Sequence, residues 1–368
     1  MSTSKRLYQI DLFRFFAALC VLLYHYSTRG YAAKRASVNF PELGEVFKYG
    51  YLGVDLFFII SGFVILLSIK DSDFLNFVKS RIVRLYPAYW FCVTISFIII
   101  LVWGDPIFLE GVNFKTYLIN MTMFQGGIGV KNIDGVYWTL FIELKFYIFI
   151  AMYLIINKIK SFNINYFIFF WLIISFIPLI IDFNSSIYLK AIRSIFFLHF
   201  SSYFIAGMLF YKLYSEHKNK VIYTAALLFC MLISIYNATR KEIEGSDLSP
   251  TVIAGIVVFF YAIMYLCSLG KLQFINNKSM MKLGILTYPL YLIHQNIGYI
   301  IFNNFSHILN KYVLLVIIIF IMFISAYLIN ILIEVPFSKY INNKLTKFIE
   351  TIRPKFKSSV IKQETTDL

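Results

Sequence analysis

The sequence has few charged residues. Asp, Glu, Lys and Arg make up only 14% of its 368 residues, whereas about a quarter of a soluble globular domain is charged. Apolar residues make up 60%. They lie in blocks of about 20 residues, each long enough to cross a hydrocarbon core of about 30 Å as a helix. This composition excludes a soluble globular protein and predicts a polytopic integral membrane protein.

Cysteine is also scarce. The four cysteines lie inside apolar blocks and form no Cys-x-x-Cys pair: Cys20, Cys92, Cys230 and Cys267. The spacing therefore predicts neither a disulfide framework nor a zinc site, and we interpret the cysteines as small packing residues. No cluster of metal ligands is evident in the sequence, so we expect no metal to be needed.

The apolar blocks predict an all-α fold of about ten transmembrane helices around a central pore or cavity. The predicted spans are 7–27, 51–69, 88–103, 136–156, 162–182, 190–211, 220–237, 250–269, 283–303 and 312–333. The basic, amphipathic segment 71–87 is predicted to lie along the membrane interface before the third span. Residues 1–336 then form one transmembrane domain, and 337–368 form a basic cytoplasmic tail.

The basic residues predict an orientation in the membrane. In a soluble protein the net charge of +15 would suggest a nucleic-acid partner. Here the basic residues lie in short loops between spans, so we expect no nucleic acid. With both termini inside, about twice as many Lys and Arg residues lie on the inner side as on the outer side, which predicts cytoplasmic termini. The longest outer loop, about 104–135, is predicted to fold over an outer opening.

Two polar side chains share one face of the first span. Arg14 and His25 are about three helical turns apart, a rise of roughly 16 Å, so both point the same way. Asp11 lies one turn before Arg14 and can pair with it. A charge within the bilayer needs a partner or a water-filled cavity. Two interpretations remain open: a buried Asp–Arg pair with an interfacial histidine, or a functional row of side chains.

A second motif is Arg81-x-x-Arg84, followed by Leu85-Tyr86-Pro87. Two guanidiniums three residues apart share one helix face, here at the predicted inner surface. Arginine forks bind phosphate groups bidentately. The pair therefore indicates a phosphate-binding surface, and the alternatives are an anchor for lipid headgroups or a determinant of orientation in the membrane.

A third motif places a carboxylate inside the fourth span. In Trp138-Thr139-Leu140-x-x-Glu143, the side chain of Glu143 lies about two turns from the outer end. A carboxylate at that depth needs a partner or a function. The alternative to a functional role is an ion pair between helices.

Three further polar residues are weaker candidates. Asp55 opens the second span, where an acid suits a helix N-terminus, so it is a cap or a functional carboxylate. His294 lies near the middle of the ninth span and is a candidate for interhelical hydrogen bonding or for the site. Glu334 ends the last predicted span, where an acid is unfavourable. We therefore predict that Glu334 pairs with Arg81 or Arg84.

Together and in this order, these motifs resemble the acyltransferase-3 family of membrane acyltransferases, over nearly the whole chain. The resemblance rests on Asp11-x-x-Arg14 with His25, Gly53-Val54-Asp55-Leu56-Phe57-Phe58 leading into Ser61-Gly62-Phe63, Arg81-x-x-Arg84-x-Tyr86-Pro87, Trp138-Thr139-Leu140-x-x-Glu143, the stretch from Tyr288 to His294, and Glu334-x-Pro336. The family often has Ser where Thr139 stands, a change that keeps the hydroxyl. Many members carry a further hydrolase-like domain, and this chain resembles the stand-alone members.

The resemblance implies a membrane-bound O-acyltransferase of the bacterial cytoplasmic membrane. Stand-alone members commonly O-acetylate cell-surface polysaccharides such as lipopolysaccharide O-antigen. The donor expected from the family is acetyl-CoA, or a close acyl-CoA, as a co-substrate, with no permanently bound cofactor. The expected acceptor is a saccharide hydroxyl of O-antigen or exopolysaccharide, lipid-linked or at the surface.

The resemblance also suggests roles for the motif residues. Arg14, Arg81 and Arg84 would bind CoA, and His25 would act as general base toward the sugar hydroxyl. A carboxylate would orient the imidazole, with Glu143 the first choice and Asp55 the second. The remaining candidates are expected to position the substrate or to stabilise the structure of the site: Asp11, Trp138, His294 and Glu334. Direct transfer and an acyl-His25 intermediate both remain open.

Two other classes of function compete with this interpretation. A transporter or flippase of lipid-linked sugars would also place polar residues within spans. It predicts repeat symmetry or paired broken helices, and the sequence contains neither. A non-enzymatic scaffold does not explain an arginine and a histidine aligned over three turns of one helix.

Overall fold

The computed structural model describes residues 7–70, 72–181, 186–216, 218–241 and 247–364, with side chains as far as residue 352. Within these ranges the chain is helical and has no strand. The α-helices are α1 (Tyr8–Tyr24), α2 (Gly30–Ala32), α3 (Pro41–Phe47), α4 (Gly53–Ile69), α5 (Phe74–Trp103), α6 (Pro106–Leu109), α7 (Phe114–Asn120), α8 (Trp138–Ile159), α9 (Ile164–Phe176), α10 (Ile187–Ile195), α11 (Leu198–Ser215), α12 (Lys220–Thr239), α13 (Pro250–Ser268), α14 (Met280–Phe305), α15 (Lys311–Ile329) and α16 (Val335–Glu364).

The predicted polytopic, all-α membrane fold is confirmed. Eight helical segments in the described ranges are long and apolar enough to cross a membrane: Tyr8–Ala32, Pro41–Ile69, Phe74–Trp103, Gly135–Ile159, Ile187–Ser215, Lys220–Thr239, Pro250–Ser268 and Lys311–Ile352. The predicted span 162–182 is a shorter apolar helix, Ile164–Leu179. The predicted span 283–303 falls in α14, which is less apolar because it carries buried polar residues such as His294 and Asn296. A helix surrounded by other helices does not need an apolar surface toward lipid.

The centre of the bundle is formed by α1, α4, α11 and α14. The largest interface between helices in the described ranges joins α4 to α11, and α1 packs against both α4 and α14. α14 also packs against α5 and α15. The buried apolar side chains of these helices form one continuous cluster. The centre is therefore a tightly packed frame, in which α1 carries Asp11 and Arg14 and α14 carries His294.

Two glycines bring α4 and α11 into close contact. A Cβ atom added to Gly207 would lie 2.0 Å from the carbonyl oxygen of Ile59, and one added to Gly62 would lie 2.2 Å from the carbonyl oxygen of Phe204. Small residues let helices approach closely within a membrane, where van der Waals packing drives helix association. The two glycines therefore fix the distance between the two central helices.

We expect Gly207→Ala to destabilise the protein, because the new methyl group has no space beside Ile59. Overpacking of this kind costs about 1–3 kcal/mol. The measurement is the thermal unfolding midpoint in detergent. The matched control is Gly255→Ala in α13, where nothing lies within 4 Å of an added Cβ. Equal midpoints for the two variants would contradict the close contact of α4 and α11.

The first span is longer than predicted. α1 continues directly into a π-helix, His25–Arg29, and then into α2. Gly30 permits this path, because a Cβ there would lie 2.6 Å from the ring of Tyr299. Single π-helical turns within α-helices are rare and frequently occur at functional sites. His25 therefore stands where the helix changes its geometry.

The helix that contains the predicted span 88–103 begins well before residue 88, because residues 74–87 of the segment predicted to lie along the interface continue into it without a break. α5 is unbroken, with Pro87 inside it. Proline has no N–H, so the carbonyl of Val83 loses its usual helical donor. The hydroxyl of Ser338 in α16 donates to that carbonyl at 2.9 Å. A side chain from another helix thus satisfies the group that the proline leaves free.

The sequence predicted that the last span ends at Glu334, but the helix continues beyond that residue. α15 passes into a second π-helix, Asn330–Glu334, and then into α16. The widened turn precedes Pro336 and relieves the clash between a proline ring and the preceding turn. α16 packs against α5, where Lys79 donates to the hydroxyl of Thr346 at 3.1 Å. The segment predicted as a tail is therefore helical to residue 364, and 365–368 lie outside the described residues.

Candidate functional site

Two adjoining cavities lie inside the bundle. We call them the His25 cavity, with a volume of about 490 Å³, and the Arg14 cavity, with a volume of about 90 Å³, after a residue that lines each. Val54 of α4 and Tyr291 of α14 line both cavities, so the two share a wall. Along α1, His25 lies roughly 16 Å beyond Arg14. One helix thus contributes a polar residue to each of two neighbouring cavities.

His25 is held on one side by tyrosine and histidine rings. Its Nδ1 lies 3.1 Å from the hydroxyl oxygen of Tyr299 in α14. Its ring centroid lies 5.2 Å from the ring centroids of both Tyr24 and His294. Among the described residues, none makes a hydrogen bond to Nε2. When Nδ1 carries the proton and donates it to the phenol oxygen, Nε2 has a lone pair available to a molecule in the cavity.

His294 is buried beside His25 and is held by its own helix. Its Nδ1 lies 2.9 Å from the carbonyl oxygen of Tyr291, and the hydroxyl of Tyr26 donates to the carbonyl of His294 at 2.7 Å. A carbonyl oxygen only accepts, so Nδ1 carries the proton and Nε2 is an acceptor. No described residue donates to that buried Nε2. Buried polar atoms of this kind are usually satisfied by ordered water or a ligand.

The structure places neither predicted carboxylate in hydrogen-bonding contact with His25. Glu143 lines the Arg14 cavity, where it accepts a hydrogen bond from Ser61 at 2.7 Å and another from Tyr147. Asp55 is buried and has Lys241 among its charged neighbours. The group at Nδ1 of His25 is the Tyr299 hydroxyl instead. The sequence did not single out Tyr299, because it is one of 27 tyrosines and lies far from His25 along the chain.

The Arg14 cavity contains opposite charges. Arg14, Arg84 and Glu143 all line it. Arg14 has two acids, Glu143 and Asp11, and a second guanidinium, that of Arg84, among its charged neighbours. Two neighbouring cations repel each other, and an anion between them would relieve that repulsion. In this cavity the repulsion between Arg14 and Arg84 is offset by the carboxylate of Glu143.

The two residues of the Arg81-x-x-Arg84 motif face different surroundings. Arg81 lies over aromatic rings, with its guanidinium 5.5 Å from the ring centroid of Phe77 and 5.6 Å from that of Tyr147. Arg84 lines the Arg14 cavity and is the charged neighbour of Glu334, which also accepts a hydrogen bond from Asn330 at 2.9 Å. Of the two candidate partners predicted for Glu334, Arg84 is thus the one beside it.

The wall of the His25 cavity includes Trp138 and three cations. The cations are Arg29, Arg35 and Lys241. The ammonium of Lys241 lies 4.8 Å from the ring centroid of Tyr51 and 5.8 Å from that of Trp138. Burial lowers the pKa of Lys241, and the carboxylate of Asp55 opposes that shift. The sequence did not indicate these cations, because all three lie outside the predicted spans, where basic residues are common in membrane proteins.

The loop before α8 is anchored to α14 and closes one side of the His25 cavity. Asp134 accepts the backbone N–H of Val136 at 3.1 Å and that of Asn296 at 2.9 Å. Burial raises the pKa of the Asp134 carboxyl to about 6. Gly135, which lines the cavity, packs so closely against Gln295 that a Cβ would lie 2.5 Å from its amide oxygen. The sequence did not single out Asp134, because an Asp just before a helix is typical of an ordinary N-cap.

The described residues contain no group of three or more His, Cys, Asp or Glu side chains arranged to hold a metal ion. The polar side chains that line the two cavities carry imidazole, carboxylate, guanidinium, ammonium, carboxamide and hydroxyl groups.

Comparison with known proteins gives matches that agree with the sequence motifs. Two curated relatives match part of the chain. A protein of Acidianus two-tailed virus with the provisional name acetyltransferase ORF330 is 27% identical over 155 residues, 42% of this chain and 43% of the relative. Nodulation protein 10 of Rhizobium leguminosarum bv. viciae is 28% identical over 172 residues, 39% of this chain and 43% of the relative. The chain thus matches less than half the length of each relative. No solved structure matches.

A family model covers much more of the chain than these relatives do. The model described as an acyltransferase domain, that of acyltransferase-3, matches residues 7–335. The match begins just before α1 and ends at the first residue of α16. It includes both cavities and every motif residue between Asp11 and Glu334. The chain therefore belongs to the acyltransferase-3 family.

Proposed function

We propose that the protein transfers an acyl group, acetyl in the simplest case, from acyl-CoA to a saccharide hydroxyl. The observation that carries this proposal is the pairing of two cavities along one helix. Arg14 lines the first cavity and His25 lines the second, and Val54 and Tyr291 belong to both. The family match supports acyl transfer, and the name of the viral relative favours acetyl.

The Arg14 cavity is the proposed entrance for the donor. Arg14 and Arg84 would bind phosphate oxygens of CoA through charge-assisted hydrogen bonds. Arg81, packed on Phe77 and Tyr147, adds positive charge behind them. The extended pantetheine arm then passes Tyr291 and covers the helical rise of roughly 16 Å to His25. This direction of entry brings the thioester to the imidazole.

The proposed chemical step is direct transfer. Nε2 of His25 takes the proton of the saccharide hydroxyl while its oxygen attacks the thioester carbonyl. A C–O bond forms, the C–S bond breaks, and the imidazolium returns the proton to the CoA sulfur. Tyr299 at Nδ1 holds the ring and accepts the N–H of the imidazolium. Glu143 belongs to the donor side in this proposal, where it balances the charge of Arg14.

The proposed location is the bacterial cytoplasmic membrane, with both termini in the cytoplasm. The excess of basic residues on that side supports this orientation. Acyl-CoA would enter from the cytoplasm through the Arg14 cavity. The His25 cavity would open toward the outside, where the acceptor is a saccharide of O-antigen or exopolysaccharide.

The proposed function is tested by release of free CoA. The full chain is reconstituted in liposomes with acetyl-CoA and with the saccharide fraction extracted from cells that lack the protein. We expect free CoA and O-acetylated saccharide to form together, and only when both substrates are present. A transporter of lipid-linked sugars would move saccharide without consuming acetyl-CoA. That result would refute acyl transfer and favour the transporter.

We expect Tyr299→Phe to lower kcat by about tenfold, because loss of one hydrogen bond to a charged group costs roughly 1.5–3 kcal/mol and partial compensation by water reduces the effect. Tyr299 is a positioning residue, so the pH–rate profile should shift as well, while KM for the donor stays the same. The control is Tyr327→Phe, an exposed residue of α15. An unchanged pH profile in Tyr299→Phe would remove the proposed role.

A further inference from the structure

The charge of the His25 cavity is not explained by acyl transfer to a neutral sugar. The arginine and lysine residues among the described residues that line it are Arg29, Arg35 and Lys241, and no Asp or Glu lines it with them. A neutral saccharide is usually held by both donors and acceptors. A concave wall of cations instead raises the local concentration of anions.

Arg35 lies at one side of this cavity. It follows α2 in a loop and is half-buried, with its guanidinium 5.9 Å from the ring centroid of Phe108. The acid whose charge interacts with Arg35 is Asp134. The two carboxylate oxygens of Asp134 already accept the backbone N–H groups of Val136 and Asn296. Arg35 lines the cavity, and the carboxylate of Asp134 is already occupied by two backbone N–H groups.

Lys241 lies in another part of the same wall, and Arg29 lies close to both Lys241 and His25. The charge of Arg29 acts on each of them. The negative charge of Asp55 acts on Lys241, but Asp55 does not line the cavity. The three cations therefore line the same cavity as His25.

The positive surface continues beyond the His25 cavity. A neighbouring cavity of about 340 Å³ is lined by Arg193, His199 and Arg240. The charges of Lys241 and Arg193 both act on His199, which links the two cavities electrostatically. In the chain, Arg240 of this second cavity directly precedes Lys241 of the His25 cavity.

We infer that the acceptor is an anionic saccharide, whose carboxylate or phosphate group binds Arg35 and Lys241 while a nearby hydroxyl faces Nε2 of His25. This inference rests on the proposed function and deepens it. The anionic group has two sources, an acidic sugar within the glycan or the phosphate of a lipid-linked or phosphate-bearing glycan. Guanidinium and ammonium groups recognise both.

The test uses the full chain in liposomes, acetyl-CoA, and the saccharide fraction from cells that lack the protein. One portion stays untreated. In a second portion the carboxylates are reduced to alcohols, and in a third the phosphates are removed with cold hydrofluoric acid. We expect one of the two treatments to lower kcat/KM at least tenfold and so to identify the anion. Equal rates for all three portions would overturn the inference and leave acyl transfer intact. No acetylation of the untreated portion would overturn the proposed function itself.

A variant pair localises the effect. Arg35→Gln is expected to raise KM for the untreated saccharide at least tenfold without changing KM for acetyl-CoA. The control is Lys34→Gln, which removes the same charge from the neighbouring exposed residue outside the cavity wall. A rise in KM for acetyl-CoA in Arg35→Gln would mean that this cavity binds the donor, and it would contradict the inference.

Discussion

Replacing His25 with Ala is expected to reduce acyl transfer by at least about 100-fold, because general base catalysis contributes on the order of 100- to 10,000-fold. His25 lines the larger cavity, and its Nε2 is the nitrogen left available once Nδ1 contacts Tyr299. Alanine removes the acceptor of the hydroxyl proton and leaves a small space beside His294. The measurement is the initial rate of acceptor-dependent CoA release at equal amounts of folded protein.

The control for this variant is His307→Ala, an exposed histidine after α14. It removes an imidazole from the same protein without touching either cavity, so its rate should equal that of the wild type. If His25→Ala kept a rate near that of the control, the assignment of the base would be wrong. Direct transfer also predicts that no acetyl group remains on His25 after a single turnover without acceptor. A stable acyl-His25 would favour the covalent route.

Replacing Arg84 with Gln is expected to raise KM for acyl-CoA at least about tenfold. A hydrogen bond to a charged group contributes roughly 1.5–3 kcal/mol, and Arg84 lines the Arg14 cavity where the phosphates of CoA would bind. KM for the acceptor should not change, since Arg84 does not line the His25 cavity. The two constants are measured by varying each substrate at saturation of the other.

Two further variants separate donor binding from a structural role. Arg84 also stands beside Glu334, so its removal leaves that acid without its charged neighbour. Arg84→Lys keeps the positive charge but loses the planar fork, and we expect an intermediate KM for the donor. Arg81→Gln, whose guanidinium lies over two aromatic rings, should lower thermal stability more than donor affinity. Equal KM for acyl-CoA in the wild type and both Arg84 variants would exclude Arg84 from the donor site.

The sequence predicts the class of the fold well, because apolar runs of membrane length are a strong signal. It also selects Arg14 and His25, since a charge and an imidazole on one face of a transmembrane helix are rare. It does not predict that α5 continues through Pro87, because the compensating hydroxyl of Ser338 comes from the other end of the chain. The sequence does not predict the π-helix at His25 either, nor the close approach of Gly30 to Tyr299 of α14 that follows it.

The surroundings of the candidate base are the least predictable part. A polar residue inside a span is noticed because it is costly there, whereas Tyr299 is an ordinary residue of a membrane helix. Arg35 and Lys241 lie beyond helix ends, where positive charge has a general explanation. Their relation to His25 arises only when α1, α14 and the connecting loops pack together. The sequence motifs thus predict which residues carry the chemistry, whereas the residues that contact them are known only from the tertiary structure.

The most direct measurement is an electron cryomicroscopy structure with a thioether analogue of acetyl-CoA that cannot transfer its acyl group. We expect density for the phosphates at Arg14 and Arg84 and for the pantetheine arm beside Tyr291. The carbonyl carbon of the analogue should lie within about 4 Å of Nε2 of His25. The opposite arrangement, with the phosphates at Arg29 and Lys241 or the carbonyl carbon far from His25, would contradict a donor that passes from the Arg14 cavity to the His25 cavity.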